Sequence, residues 1–314
     1  MERAIRRRGI ALLITIAFVL VIMAIIGMML GTVQSSQKSV SQKKVLIQSD
    51  ILLSNMLGIL KSASGDINDS VMLDIFLSMP FVFDNSSHGI SVDIAFRSNA
   101  RVVNVNWLVL DKNSTNKRDP FEPEPLNQYI EEYLERILTV YNVSDTILLL
   151  SMIADTIDED TDERISGSEI VRDNLDFMQS KIYNMHHFEQ ILYAYKQKTL
   201  DFSVDKIPWQ SLISFDNDKI DFNYINPAVL QFVLEGLDAE SIRLLTTHKD
   251  SVFTTIDDLP FSTEDKEKLK KMKIVFFDPN LRTTMRIQST GAALQVALNY
   301  NLKTKRVSRV EITR

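Results

Sequence analysis

Residues 1–9 read MERAIRRRG and residues 10–30 read IALLITIAFVLVIMAIIGMML, and this junction decides what kind of molecule the rest belongs to. The second stretch is 21 residues without a charge, diluted only by Thr15 and Gly27. As a helix rising about 1.5 Å per residue it reaches roughly 30 Å, the thickness of bilayer hydrocarbon. The flank before it carries Arg3, Arg6, Arg7 and Arg8 against Glu2. Basic residues beside a first span stay on the cytoplasmic side, so the remainder of the chain is expected outside. A secretory signal has a shorter apolar core followed by small residues at its cleavage site. Here the small residue, Gly9, precedes the apolar run.

The whole chain has 314 residues, 45% hydrophobic and 24% charged, with 9 Gly, 8 Pro and a formal charge of -6. That length and apolar content fit about two packed domains and exclude disordered or collagen-like chains. With no cysteine, disulfides, thiolate metal sites and cysteine nucleophiles are excluded, while the compartment stays open. Loss of residues 1–9 leaves 31 basic against 40 acidic residues, a formal -9. An acidic exported part is a poor match for nucleic acid.

Beyond the span, Val45, Leu46, Leu52, Leu53, Met56, Leu57 and Leu60 recur at helical spacing, predicting a first helix that continues as an amphipathic rod. Ile90–Phe96 alternates like a strand, and the spacing predicts a hairpin with Arg101–Leu110. Three more strands are expected at Thr284–Ser289, Ala292–Tyr300 and Val307–Ile312. Between them the pattern is helical: Tyr129–Tyr141, Thr146–Ile153, Phe188–Lys196, Pro227–Leu234 capped by Asn226, Ala239–Thr246 and Thr263–Met272. One sheet split by a helical insertion follows, with no internal repeat of fixed period and no low-complexity segment.

The basic leader, Gly9 and the retained apolar helix together resemble the class III signal of type IV pilins and type II secretion pseudopilins. A plain uncleaved membrane anchor is the alternative reading of these residues. The resemblance implies that prepilin peptidase cuts between Gly9 and Ile10, leaving the helix as anchor and filament core, with a methylated amino terminus. Most of that family has Glu at the fifth mature position; this chain has Ile14. A carboxylate in an apolar core is costly unless paired, so a subunit with nothing above it has reason to lack one. Together with Arg101–Leu108, Ile153–Asp160, Ser166–Glu169 and Ile225-Asn226-Pro227, this resembles the K-type minor pseudopilin, the general secretion pathway protein K family, in a divergent form.

The fold expected from this resemblance is α+β: a long N-terminal membrane helix and a pilin-like antiparallel sheet interrupted by a large all-helical inserted domain. The divisions are a leader at 1–9, a transmembrane helix at 10–32, pilin-like parts at 33–111 and 274–314, and an insert at 112–273.

Asp155, Asp158, Glu159, Asp160, Asp162, Glu163 and Glu169 place seven acids in fifteen residues, offset by Arg164. Counted from Asp158, carboxylates fall at loop positions one, three, five and twelve, the spacing of an EF-hand calcium loop. Hard oxygen donors without Cys or His favour calcium over transition metals. Glu163 stands where such a loop has glycine, so EF-hand geometry would be strained. The K-type resemblance also implies calcium in this region. The ligand set expected is Asp158, Asp160, Asp162 and Glu169, with Asp155 as an addition; the alternative is a solvated charged loop.

His88, His186, His187 and His248 show no catalytic spacing and read as surface residues, and Asp257-Asp258 reads as helix capping. No nucleotide, hydrolase or metalloprotease motif occurs, so no enzyme is expected. Ile225–Leu245 resembles a helix-hairpin-helix unit, with Asp238 where a phosphate contact would be wanted. The function implied is a minor pseudopilin at the tip of a type II secretion pseudopilus, needed for its initiation and for protein export. The partners implied are other minor pseudopilins, prepilin peptidase, the assembly platform and inner-membrane lipid, with the head in the periplasm. The alternatives are a minor pilin of a type IV pilus or DNA-uptake machine, or a membrane-anchored nucleic-acid-binding protein.

Overall fold

The computed structural model describes residues 49–79, 81–85, 90–110, 124–234, 236–246, 252–289 and 292–313, with isolated helical positions between 23 and 47. The leader, the Gly9–Ile10 junction and nearly all of the expected membrane helix at 10–32 lie outside the described residues. No described helix is long and apolar enough to cross a membrane.

Helix α1 runs continuously over 49–63 and buries Met56 and Leu60, with Leu52, Leu53 and Leu57 alongside. A turn at Ser64–Asp66 ends it. Asp69 then caps α2 (Ser70–Ser78), accepting from the Met72 N–H at 2.8 Å. Leu73 and Phe76 of α2 face the sheet, where Phe76 and Phe96 have ring centroids 5.0 Å apart.

Strand β1 (Phe81–Asn85) forms an antiparallel hairpin with β2 (Ile90–Ser98). The expected partner of β2, Arg101–Leu110, is elsewhere. After Ala100 the chain leaves the sheet as β3 (Val103–Asn104) and a 3₁₀ turn at Val105–Trp107, burying Val103, Val105 and Leu108 in a different core. Apolar alternation fits either outcome, and the deciding factor is the core that those three side chains fill.

That second core belongs to the insertion. Its helices are α3 (Gln128–Val140), α4 (Thr146–Ile157), α5 (Ile170–Asp173) and α6 (Met185–Thr199). They are followed by β4 (Ile213–Ser214), β5 (Ile220–Asp221), α7 (Pro227–Val233), α8 (Ala239–Thr246), α9 (Thr263–Lys271) and β6 (Ile274–Val275). Helix α4 is central: every residue from Leu148 to Ile157 is buried, which explains its apolar character on all sides. Helix α3 presents Ile130, Tyr133, Leu134, Ile137 and Leu138, one stripe at helical spacing, to the same core. Asn226 caps α7 with Pro227 in its first turn, and Ser262 caps α9, as the sequence predicts.

The insertion is not all-helical. Strands β3 and β4 pair in parallel, as do β5 and β6, two residues each. The two pairs are built alike. In the first, Asn104 accepts from the Asn106 N–H at 3.0 Å. The Asn106 amide then donates to the carbonyls of Ile182 and Phe215 and accepts from the Ile182 N–H. In the second, Asp221 accepts from the Asn223 N–H at 3.0 Å. The Asn223 amide donates to the carbonyls of Phe253 and Phe276 and accepts from the Phe253 N–H. Side-chain amides thus continue ladders too short to satisfy their surroundings. Val-Asn-Val-Asn-Trp at 103–107 and Ile-Asp-Phe-Asn-Tyr at 220–224 are one local design used twice, without a repeat of fixed period around it.

The chain then returns to the sheet. Strands β7 (Asn280–Ser289), β8 (Ala292–Asn301) and β9 (Arg306–Thr313) complete the order β1-β2-β7-β8-β9, antiparallel throughout. Val92, Ile94, Phe96, Leu281, Met285, Ile287, Leu294, Val296, Leu298 and Tyr300 form the apolar face under α1 and α2. Each such side chain contributes about 1.5–3 kcal/mol through burial.

The insert leaves and re-enters at neighbouring points. Ser98 pairs with Leu281, and the Asn99 N–H donates to Asn280 O at 2.9 Å. At this junction the Arg101 Nε donates to Tyr224 O, and the Tyr224 hydroxyl donates to Asp74 on α2.

Candidate metal centre

Helix α4 ends at Ile157, and most of the acidic stretch follows it. Asp158 adopts an extended conformation (φ -73°, ψ 170°) and starts the acidic loop. Asp160 accepts from the Asp162 N–H at 2.9 Å, a local turn on the exposed side. The positive φ falls at Gly167 (+84°), four residues beyond Glu163, so the loop does not follow an EF-hand path. Lys198 donates to the Gly167 carbonyl at 2.8 Å and pairs with Asp173 at 2.7 Å, holding this turn from α6. Glu169 then caps α5, accepting from the Val171 N–H at 3.3 Å.

Of the five expected ligands, three are buried: Asp155, Asp158 and Glu169. Ser168 donates to Asp155, and Gln179 donates both to Glu169 at 2.6 Å and to the Asp160 carbonyl at 3.2 Å. Asp162 is different; its side chain is 86% exposed and lies 3.6 Å from Arg172. Among the described residues, no three His, Asp or Glu side chains stand together as a ready cation cage.

Arg164, which in the sequence reads only as an offset to the acids, joins them. Its Nη2 lies 2.9 Å from Asp158 Oδ2 and its Nη1 donates to Glu124 O at 2.7 Å. Its Nε is 2.9 Å from Asp155 Oδ1, an ion-pair contact off the hydrogen-bond axis. Ser168, marked in the sequence only as part of the Ser166–Glu169 resemblance, and Gln179, which no sequence signal marks, also serve the site.

Burial dominates the electrostatics. It pushes the Asp158 carboxyl up to about 7, against the opposing pull of Arg164 and with help from Asp160 and Asp155. It likewise raises Glu169 to about 7, opposed by the Val171 N–H. Asp155 is also raised by burial, with Ser168 and Arg164 acting the other way. Asp155 Oδ1, Asp158 Oδ1 and Glu169 Oε2 are buried without a hydrogen-bond donor. Buried carboxylate oxygens normally have donors or a metal; these are hard oxygens of the kind calcium takes, but no three of the side chains gather around one point.

The remaining candidates have structural roles. His187 is buried rather than at the surface, its Nε2–H donating to Met178 O at 3.0 Å between Phe177 and Tyr183. His88 and His248 lie outside the described residues. Asp258 caps the N–H groups of Thr254 and Thr255, as expected. In the hairpin-like unit Gly236 takes a positive φ of 76°, but Asp238 is spent accepting from the Ser241 N–H at 2.7 Å.

No family model matches the chain, and no curated protein does. Among solved structures it matches a chain of the GspK-GspI-GspJ complex from the enterotoxigenic Escherichia coli type 2 secretion system. The TM-score is 0.61 at 14% identity, and the match covers 89% of this chain and 99% of that chain. The protein therefore shares its fold with a subunit of that secretion complex.

Proposed function

We propose that this chain is a minor pseudopilin of a type II secretion system, the K-type subunit at the pseudopilus tip. The observation that carries the reading is the fold match over almost the whole of a subunit of such a complex. The order of basic leader, Gly9 and apolar helix supports it independently, since that order belongs to proteins matured by prepilin peptidase. On this reading residues 10–32 anchor the chain in the inner membrane and the head stands in the periplasm. The subunit acts by position. Two companion minor pseudopilins pack against it, as the neighbour assembles with two other proteins, and the insertion blocks addition above. Ile14 in place of Glu fits a subunit with no neighbour above it.

The same reading includes calcium on the acidic loop. Asp158 and Glu169 each have a buried oxygen left for it, and Asp160 and Asp162 lie on the connecting loop, while Asp155 is engaged by Arg164 and Ser168. A bound calcium would neutralise carboxylates that burial otherwise drives toward their protonated form.

Mass spectrometry of the mature amino terminus, with and without prepilin peptidase, tests the assignment. Cleavage after Gly9 that depends on the peptidase is expected; an intact Met1 in the mature protein sinks it. Calorimetry with millimolar calcium chloride tests the metal, and absence of binding removes that part alone.

A further inference from the structure

Asp155 and Asp158 sit one turn apart at the end of α4, both buried. Two carboxylates in such a place cost several kcal/mol unless a positive charge joins them. The charge that joins them belongs to the chain itself. The Arg164 side chain is only 11% exposed, and its guanidinium meets one oxygen of each carboxylate and the Glu124 carbonyl. Two carboxylates and a backbone carbonyl are the donors a divalent cation takes, and here the planar fork of an arginine takes them.

We infer that Arg164 is a built-in cation: it occupies this donor set, lets the end of α4 fold without metal, and confines any divalent ion to the side of Asp158 and Glu169. The last clause rests on the calcium reading; the first two do not. Three features separate this from an ordinary surface ion pair, which contributes about 0–1 kcal/mol. Both carboxylates are buried; the arginine engages three partners at once; and it ties the Asp155–Asp158 corner to Glu124, on the segment that leads into α3. Glu169 remains outside the guanidinium's contacts and is served by Gln179 and the Val171 N–H.

The experiment uses the full-length chain in mild detergent, with R164Q and R164K, and reads melting temperature and calorimetric binding of calcium chloride after EDTA treatment. R164Q is expected to melt lower than wild type in EDTA, to regain most of the loss in millimolar calcium, and to bind calcium at least tenfold more tightly or with one more ion. R164K, which keeps the charge but loses the fork, should fall between. R164Q as stable as wild type in EDTA overturns the inference, and so does an R164Q that is destabilised yet responds to calcium no more than wild type.

Wild type binding no calcium while R164Q binds it removes the calcium reading, and with it the last clause, and leaves the first two clauses standing. Equal binding by both does the reverse. If R164Q does not fold in either condition, the double variant D155N/R164Q decides. Folding restored by the second substitution supports the built-in cation, and a double variant no better than R164Q overturns it.

Discussion

Replacing Asn223 by Ala removes an amide that donates to Phe253 O and Phe276 O and accepts from the Phe253 N–H, each at 2.9 Å. Asn223 is 5% exposed, so water does not replace the lost partners. At about 1 kcal/mol for each net bond, and more for each buried group left unsatisfied, the expected loss is ~3–5 kcal/mol. Urea unfolding followed by tryptophan fluorescence is the assay. The chain's two tryptophans, Trp107 and Trp209, both pack in the insertion core and report on it selectively. With a slope of roughly 2 kcal/mol per molar, the midpoint should drop by ~1.5–2.5 M without a change in slope. Asn223→Asp keeps the size and the acceptor but turns the donor into an oxygen facing two carbonyls, and should lose as much. Asn106→Ala removes the same kind of bonds from a half-buried site and should cost less, ~2–3 kcal/mol. A loss below ~1 kcal/mol for Asn223→Ala, or tolerance of Asp there, refutes the claim that these amides complete the short ladders.

Other outcomes follow from the same structure. Burial holds Asp158, Glu169 and Asp221 near 7, above the ~4 of an unfolded carboxyl, so the folded chain keeps protons that the unfolded chain has lost. Stability in EDTA should therefore fall as pH rises from about 4 through 7, and a calorimetric profile that rises across that window contradicts the assignment. Leu149→Ala, at a fully buried position of α4, should cost ~2–5 kcal/mol in the same urea assay, and less than 1 would mean that α4 is not central. Ile14→Glu should leave peptidase cleavage intact and reduce incorporation of the subunit modestly, measured by recovery in sheared pseudopilus fractions. Complete loss of cleavage would show that the residue serves the peptidase rather than assembly.

Much of this fold is legible before any coordinates. The three late strands and the caps at Asn226 and Ser262 are local signals, and local signals survive tertiary context well. The wrong partner for β2 has a physical origin: alternation at 101–110 reports burial on one side and says nothing about which core does the burying. Helix α2 is not marked by periodicity, because Val71, Met72 and Ile75 are apolar on the face away from the sheet. The repeated ladder escapes sequence comparison because its two copies share Asn106 and Asn223 but otherwise match only in kind, Asn104 against Asp221 and Trp107 against Tyr224. At the candidate site the acids are plain to read. Their grouping is not, since which carboxylates Arg164 gathers depends on where the turn at Gly167 sends the chain.

The place of the insertion between β2 and β7 also sets a timetable. The β1–β2 hairpin is made early, yet its next strand arrives about 180 residues later, some tens of seconds of synthesis at ~5–20 residues per second. Until then β2 offers an unpaired edge, the surface on which chains misassociate. An insertion that folds first brings Asn99 and Asn280 within hydrogen-bond reach and converts a slow, distant pairing into a local one. Variants that slow the folding of the insertion should then reveal themselves as aggregation through the sheet, far from the site of the change.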